Sequence, residues 1–512
     1  MAHRPGEQPL VQGDPVAGIP YRWVALALVS VGVFLGTLDT SIVNIALPTL
    51  AREFNTSADR VIWVALIFIV VSTGLALSMG RLGDLYGRKH LYVFGFALFT
   101  VASGLSAVAG SLPELLGARV VQAIGSSIVL ANGAAIVTAT FPASQRGRAL
   151  GIQVATVGAG VASGPVLGGI LVETLDWRAI FWTRVPLGIV GSLLVWRFLR
   201  DVPPTSRPRG LDIPGSVILF ATLSSLVLAV NRGQAWGWAS AETVGLFAAS
   251  AGLLVTFISL ERRVTSPVLD LALFRMRSYS AAIGAALMQF LGISALFILG
   301  PFYLVDGRGF STLEAGGIMA AFPIAMLLIS PFSGALSDRI GARILATTGL
   351  VIASGGLLFA ATLDTNTSVV GIVARLFIVG AGTAIFSSPN TSTIMSAVPS
   401  HRLGTASASQ TTARTIGNAV GVAMATALFT SQALAYASAR STLGLEDPEV
   451  APAALVSGVR LALLVSASAV AIGIPFSLLR GSGQRAQPPP AVPPTIRPGA
   501  TDPTQAAGRN TG

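Results

Sequence analysis

The residue best suited to chemistry in this sequence is an aspartate in the middle of an apolar run. Asp39 lies sixteen residues past Trp23 and eight before Leu47, within WVALALVSVGVFLGTLDTSIVNIAL. If that run is a helix crossing a bilayer, a rise of about 1.5 Å per residue puts the carboxylate well inside the hydrocarbon. A charge at the bilayer centre costs about 2.5–3.5 kcal/mol on insertion scales, so a carboxylate there is a functional candidate by default. Desolvation disfavours its charged form, and such a group can bind and release a proton during a transport cycle. The bland alternative is a structural Asp hydrogen-bonded to a neighbouring helix. Thr40 and Asn44, four residues apart, add polar contacts on an adjoining face.

A second constellation lies further along. Arg119 sits about two turns into an apolar run, with Gln122 and Ser126 close to the same face. A fixed cation there could pair with Asp39 or with an anionic substrate. Asn390, Gln410 and Arg414 are further cavity candidates, and Arg375 enters the same region. Arg184 opens another apolar run and is expected to snorkel toward the interface. The three His, at 3, 90 and 401, all lie outside apolar runs, and the chain has no Cys. No nucleophile–base pair, paired carboxylates or metal ligands occur at membrane depth, so neither an enzyme nor a metal or cofactor site is expected.

The elements that would position these residues follow from composition. Of 512 residues, 52% are hydrophobic and only 11% are charged, against roughly 25% charged in soluble domains. A spanning helix needs about 20 mostly apolar residues. Fourteen runs qualify, near 23–47, 61–80, 91–110, 113–139, 149–172, 180–199, 212–230, 242–260, 279–304, 315–336, 344–362, 370–397, 405–431 and 457–479. The net charge of +11 is almost all Arg, Lys89 being the lone Lys. It concentrates in the loops after even-numbered spans, as at Arg88, Arg146, Arg148, Arg262, Arg263, Arg339, Arg343 and Arg402. That is a topology signal rather than a nucleic-acid surface, and the positive-inside rule puts both termini in the cytoplasm. Residues 1–22 lack the apolar core of a signal peptide. The segment 481–512 is Pro-rich and reads as a disordered tail.

Two loops repeat each other. Gly80-Arg-Leu-Gly-Asp84-Leu-Tyr-Gly87-Arg88-Lys89 follows the second span, and Gly334-Ala-Leu-Ser-Asp338-Arg-Ile-Gly341-Ala-Arg343 follows the tenth. Each closes the second span of a six-span block, an arrangement many secondary transporters use, with the substrate site between the halves. The blocks are 23–200 and 279–480, and 201–278 is a two-helix insertion with its flanking loops. In the fifth span, Gly160, Gly164 and Gly168 form a small stripe, with Gly169 adjacent and Pro165 as a kink. Close packing and a kink suit an interface about which two halves rock.

Together these segments resemble the major facilitator superfamily, and within it the fourteen-helix drug:proton antiporter family. Leu38 to Pro48 is similar to that family's first-helix motif, Gly80 to Lys89 to the cytoplasmic loop signature, and Arg119-x-x-Gln122-x-x-Gly125 to the fourth-helix motif. Gly160 to Gly169 resembles the fifth-helix motif of antiporters. The resemblance implies an all-α integral membrane protein with the major facilitator fold, two six-helix bundles plus two extra helices. It implies export of amphipathic compounds against inward proton movement. Asp39 would be the proton-coupling carboxylate and Arg119 its partner. Asn44, Gln122, Asn390, Gln410 and Arg414 would line the substrate cavity. Gly80, Asp84, Gly87, Arg88, Lys89 and Asp338 would form a cytoplasmic gate. Two positions depart from the pattern: Arg184 stands where Asn is usual, and Val305 where Gln is common.

The expected protein is therefore a monomeric proton-driven exporter in the cell membrane, with small molecules, protons and lipid as its partners. Rival readings are a narrow exporter of one self-made metabolite, a membrane-embedded enzyme and a passive channel.

Overall fold

The computed structural model describes residues 18–56, 58–201, 212–264, 267–440 and 451–479. Most of the N-terminal tail and all of 481–512 lie outside the described residues. Fourteen long helices fill the rest: α1 (Tyr21–Glu53), α2 (Trp63–Tyr86), α3 (Arg88–Ala107), α4 (Leu112–Thr140), α5 (Arg146–Thr174), α6 (Arg184–Phe198) and α7 (Ile213–Trp236). They continue with α8 (Ala241–Glu261), α9 (Arg277–Val305), α10 (Ala321–Ile340), α11 (Ala342–Ala360), α12 (Val369–Ser396), α13 (Leu403–Arg440) and α14 (Ala451–Leu478). No strand occurs among the described residues.

Among the described residues, thirteen spans are long and apolar enough to cross a membrane. The remaining helix, α13, is the longest at 38 residues and is rich in Ser and Thr. Its polarity fits its position, since it packs on α9, α14, α2 and α4 at the middle of the molecule rather than facing lipid. At the other extreme, α8 packs mainly on α7 and exposes Val244, Leu254 and Val255. In a soluble protein such apolar exposure would be a liability; here it matches hydrocarbon.

Two expected spans are broken near their starts by proline. The short helix Ala179–Trp182 precedes α6, and Thr312–Met319 precedes α10. Pro186 and Pro323 each lack an N–H and clash with the carbonyl four residues back, at Trp182 and Met319, which is where each chain bends.

The packing repeats by halves. In the first, α1 packs on α5, α3 on α4, α2 on α4 and α3 on α6; in the second, α9 packs on α13, α11 on α12, α10 on α12 and α11 on α14. Contacts between the halves obey the same pairing, α5 with α10 and α2 with α13, then α4 with α13 and α5 with α12. The inserted α7 lies against both α2 and α13, and α8 packs on α7 from outside.

At one end of the molecule α4, α8, the short helix before α10 and α12 begin with their own caps, Ser111, Ser240, Ser311 and Ser368, whose hydroxyls accept from Glu114, Thr243, Glu314 and Gly371 N–H groups. At the opposite end α5 starts after Gln145 with no side-chain cap of its own. Its first N–H groups are satisfied by the other half of the molecule, as the site geometry makes clear.

Candidate functional site

Asp39 is wholly buried in α1, with two guanidinium groups on its carboxylate. Arg119 Nη1 from α4 donates to Oδ1 at 3.0 Å and Oδ2 at 2.7 Å. Arg184 Nη1 from α6 donates to Oδ1 as well. Gln122, one turn past Arg119, donates through Nε2 to Asp39 Oδ1 at 3.0 Å and to Ser103 Oγ at 2.9 Å, while its Oε1 accepts from Arg119 Nη1 at 2.6 Å. Arg119 Nε donates to the Val64 carbonyl of α2 at 3.0 Å, and its guanidinium lies over the Phe68 ring at 4.4 Å. Four helices thus hold one carboxylate. Desolvating an ion costs several kcal/mol, so the partners must be close and well aimed. The cluster of two cations and one anion keeps a net charge of +1.

Arg184 corrects an expectation. It does not snorkel; it is 1% exposed and turned inward onto Asp39. Its Nε and Nη2 find no hydrogen-bond partner among the described residues. A sequence signal existed: Trp177, Ile180, Phe181 and Gly188 put α6 and the turn before it deep in an apolar layer, where a terminal Arg has no water to reach.

The α5 glycines pack elsewhere than the rocking-interface reading expects. A Cβ at Gly160 would strike Thr37 Oγ1, and one at Gly164 would strike Ser41 Oγ. Both contacts are to α1, within the same half, on the turns flanking Asp39. Ser41 Oγ donates to the Gly160 carbonyl at 3.3 Å. Gly169 has open space around it, and the Pro165 side chain lies outside the described residues. The seam between halves uses other small residues. A Cβ at Gly147 or Gly151 of α5 would strike α10, at Asp338 and Gly334 or at Ser330.

At the ends of α2 and α10 the repeated Asp residues act across the seam. Asp84 accepts from Gly404 N at 2.8 Å, Thr405 N at 2.9 Å and Thr405 Oγ1 at 3.1 Å, all at the start of α13. Asp338 accepts from Gly147 N at 2.8 Å and Arg148 N at 3.1 Å, at the start of α5. Each Asp is the cap that the opposite helix lacks, and it meets the positive end of that helix dipole. Gly80 and Gly334, four residues before each Asp, allow this approach: a Cβ on Gly80 would strike the Gly404 carbonyl, and one on Gly334 the Gly147 carbonyl. Gly87 and Gly341 turn the chain with φ of 93° and 95°, a region only Gly enters freely.

The two latches are unequal. Arg88 Nη2 bonds Asp84 Oδ1 and the Ser400 carbonyl, each at 2.8 Å, and no ion pair to Asp338 occurs among the described residues. His401 beside this latch is held below the ordinary imidazole range by partial burial and by Arg402, so it adds no charge at neutral pH. The sequence reading missed Gly147, Arg148, Gly404 and Thr405. The cue was a second weak repeat, Arg146-Gly147-Arg148-Ala149 against Arg402-Leu403-Gly404-Thr405-Ala406.

Between the halves lies a cavity of about 120 Å³. Its first-half wall is mostly apolar, Val33, Leu130, Ala134, Val154 and Val157, with Gln153 as the polar exception. The second half supplies Phe290, Met326 and Phe386 together with Ser387, Asn390, Thr391, Ser407, Gln410, Thr411 and Arg414. Of the expected cavity residues, Asn390, Gln410 and Arg414 line it; Gln122 instead belongs to the Asp39 cluster. The side chain of Asn44 lies outside the described residues. Arg375 serves the loop between α11 and α12, donating to the Phe359 and Gly371 carbonyls and stacking on Phe359 at 4.0 Å. Cavity and carboxylate are distinct: Val33 and Asp39 are six residues apart on α1, about 9 Å along the axis.

This arrangement can hold a small molecule between two halves latched at one end, with a separate buried carboxylate held by two guanidinium groups. Comparison with known proteins agrees with a transporter. The family described as Major Facilitator Superfamily matches residues 29–422. The riboflavin transporter RibZ of Clostridioides difficile is 35% identical over 81% of this chain and 90% of its own. The multidrug resistance protein Stp of Mycobacterium tuberculosis is 34% identical over 78% of this chain and 74% of its own. Among solved structures, the human organic anion transporter MFSD10 (TETRAN) superposes with a TM-score of 0.64 over 90% of this chain and 100% of that one, at 16% identity, a likeness of fold alone.

Proposed function

Since the chain belongs to the Major Facilitator Superfamily, and is a multi-pass membrane transporter rather than an enzyme, we propose that it is a proton-driven exporter of amphipathic small molecules in the cell membrane. It would work as a fourteen-helix drug:proton antiporter with both termini in the cytoplasm. The observation that carries this reading is Asp39, a fully buried carboxylate held by two guanidinium groups and set about two turns from a cavity between latched halves.

In this reading a proton arriving from outside binds a carboxylate oxygen of Asp39. The neutral acid no longer holds Arg119 and Arg184 by charge, and the α1–α5 contact at Thr37 and Ser41 loosens. Because α5 also carries the Asp338 latch, movement there reaches the seam between halves. Opening of the Asp84 and Asp338 latches exposes the cavity to the cytoplasm, where substrate enters and the proton leaves. Alternating access then follows from the two latches acting on related helices of the two halves.

The test is uphill efflux from an efflux-deficient bacterial host over a panel of antibiotics and dyes, with and without a protonophore. Wild type is compared at matched membrane level with Asp39→Asn and with Asp39→Asn combined with Arg184→Asn, which restores the wild-type net charge of the cluster. Both variants should lose protonophore-sensitive efflux. Wild-type rates of uphill efflux in either would remove Asp39 from the proton role.

A second reading is a narrow transporter for one aromatic compound. It is favoured by the riboflavin transporter among the relatives and by the modest cavity. A panel in which a single compound responds would select it.

A further inference from the structure

The cavity carries one formal charge, and that charge is positive. Arg414 reaches it from α13, half-buried, with its remaining exposure turned to the cavity. No hydrogen bond or ion pair engages its side chain among the described residues, and no Asp or Glu lines the cavity. The Asp39 cluster, six residues along α1 from the cavity wall, has its anion matched and retains a net positive charge, and the Asp84 and Asp338 carboxylates are taken up by the starts of α13 and α5. A guanidinium held in a low-dielectric space without a counter-ion is costly unless something else supplies the negative charge. The remaining lining suits the rest of such a partner. Phe290 and Phe386 add aromatic lining, and Gln410, Thr411 and Ser407, on the same helix as Arg414, offer polar groups along one edge.

The geometry points to an organic anion as the transported substrate: a flat apolar or aromatic body with one carboxylate, or a comparable anionic oxygen group, paired with Arg414. The guanidinium fork matches a carboxylate in two parallel hydrogen bonds, which a neutral amide or hydroxyl cannot equal. The same charge disfavours lipophilic cations, since the cavity holds no carboxylate to receive an ammonium and Arg414 repels it. This assignment rests on the exporter reading for its direction of transport but not for its binding chemistry.

The experiment uses three probes that share one ring system: 2-naphthoate, 2-naphthamide and 2-naphthylmethylammonium. Equilibrium binding is measured on the purified full-length protein in lipid nanodiscs, and uphill transport of the same probes in proteoliposomes with an imposed proton gradient. Wild type should bind naphthoate at least tenfold tighter than the amide and the ammonium. Arg414→Gln should bring that preference down toward one, while Arg414→Lys should keep part of it, with thermal unfolding confirming that both variants fold. A preference for the ammonium, equal binding of all three probes, no binding of any of them, or an unchanged preference in Arg414→Gln would each overturn the assignment. The two readings separate cleanly. Naphthoate bound through Arg414 but never moved uphill would support the anion site and count against proton-driven export. Equal uphill transport of the anion and the cation would do the reverse.

Discussion

Arg184 Nη1 donates to Asp39 Oδ1 across 145 residues of sequence, on an oxygen already taken by Arg119 and Gln122. The carboxylate thus carries two cations although one would neutralise it, and the second leaves two donor nitrogens, Nε and Nη2, without partners among the described residues. That surplus sets apart the roles of the two arginines.

Removing Arg119 should be far more damaging than removing Arg184. Arg119 bridges α1, α2 and α4 through Asp39, Val64 and Gln122. Loss of one partner from a buried network costs about 3–5 kcal/mol, so Arg119→Ala should unfold well below wild type in a thermal melt in detergent. Arg184→Asn leaves Asp39 its other partners and removes two unmet donors. It should change stability by less than about 1.5 kcal/mol. A loss for Arg184→Asn equal to that for Arg119→Ala would mean the surplus is not real.

The latches should differ in strength. Asp84 accepts three bonds from α13 and pairs with Arg88, whereas Asp338 accepts two from α5 and has no ion pair among the described residues. The chain has no Cys, so a single Thr411→Cys in the cavity reports access without background. Its labelling by a membrane-impermeant maleimide from the latched face should rise roughly tenfold or more in Asp84→Asn, since charge-assisted bonds are worth about 1.5–3 kcal/mol. Asp338→Asn should raise it less. The opposite order would place the dominant latch on α5.

Glycines within one motif should respond differently. Gly164→Ala inserts a methyl group where Ser41 sits, and overpacking of this kind costs about 1–3 kcal/mol. It should also depress transport by separating α1 from α5 beside Asp39. Gly169→Ala meets open space and should stay within about 0.5 kcal/mol of wild type. Equal effects at the two positions would mean that helix flexibility, rather than α1 contact, is what the motif supplies.

Much of this protein is written locally in its sequence. Apolar runs of about 20 residues set the spans, because the bilayer thickness and the helical rise leave no other solution. The Ser- and Thr-containing α13 was legible as a span from its apolar run at 405–431. Asp39 stands out alone because one charge in an apolar helix is visible without knowing its neighbours. The Gly80–Asp84 and Gly334–Asp338 repeat announced two related halves.

What each of those residues touches was decided only by tertiary packing. Sequence separation carries no distance, so nothing local says that Arg184 reaches Asp39, that Gly160 and Gly164 serve α1 while Gly147 and Gly151 serve the seam, or that Gln122 leaves the cavity for the carboxylate. Likewise the missing cap of α5 reads locally as a weak helix start, and becomes a latch only once the other half delivers Asp338. The physical reason is the same in each case. A buried charge or an open helix end must be satisfied by whichever side chain the packing brings within about 3 Å, and that choice belongs to the assembled helices rather than to any one of them.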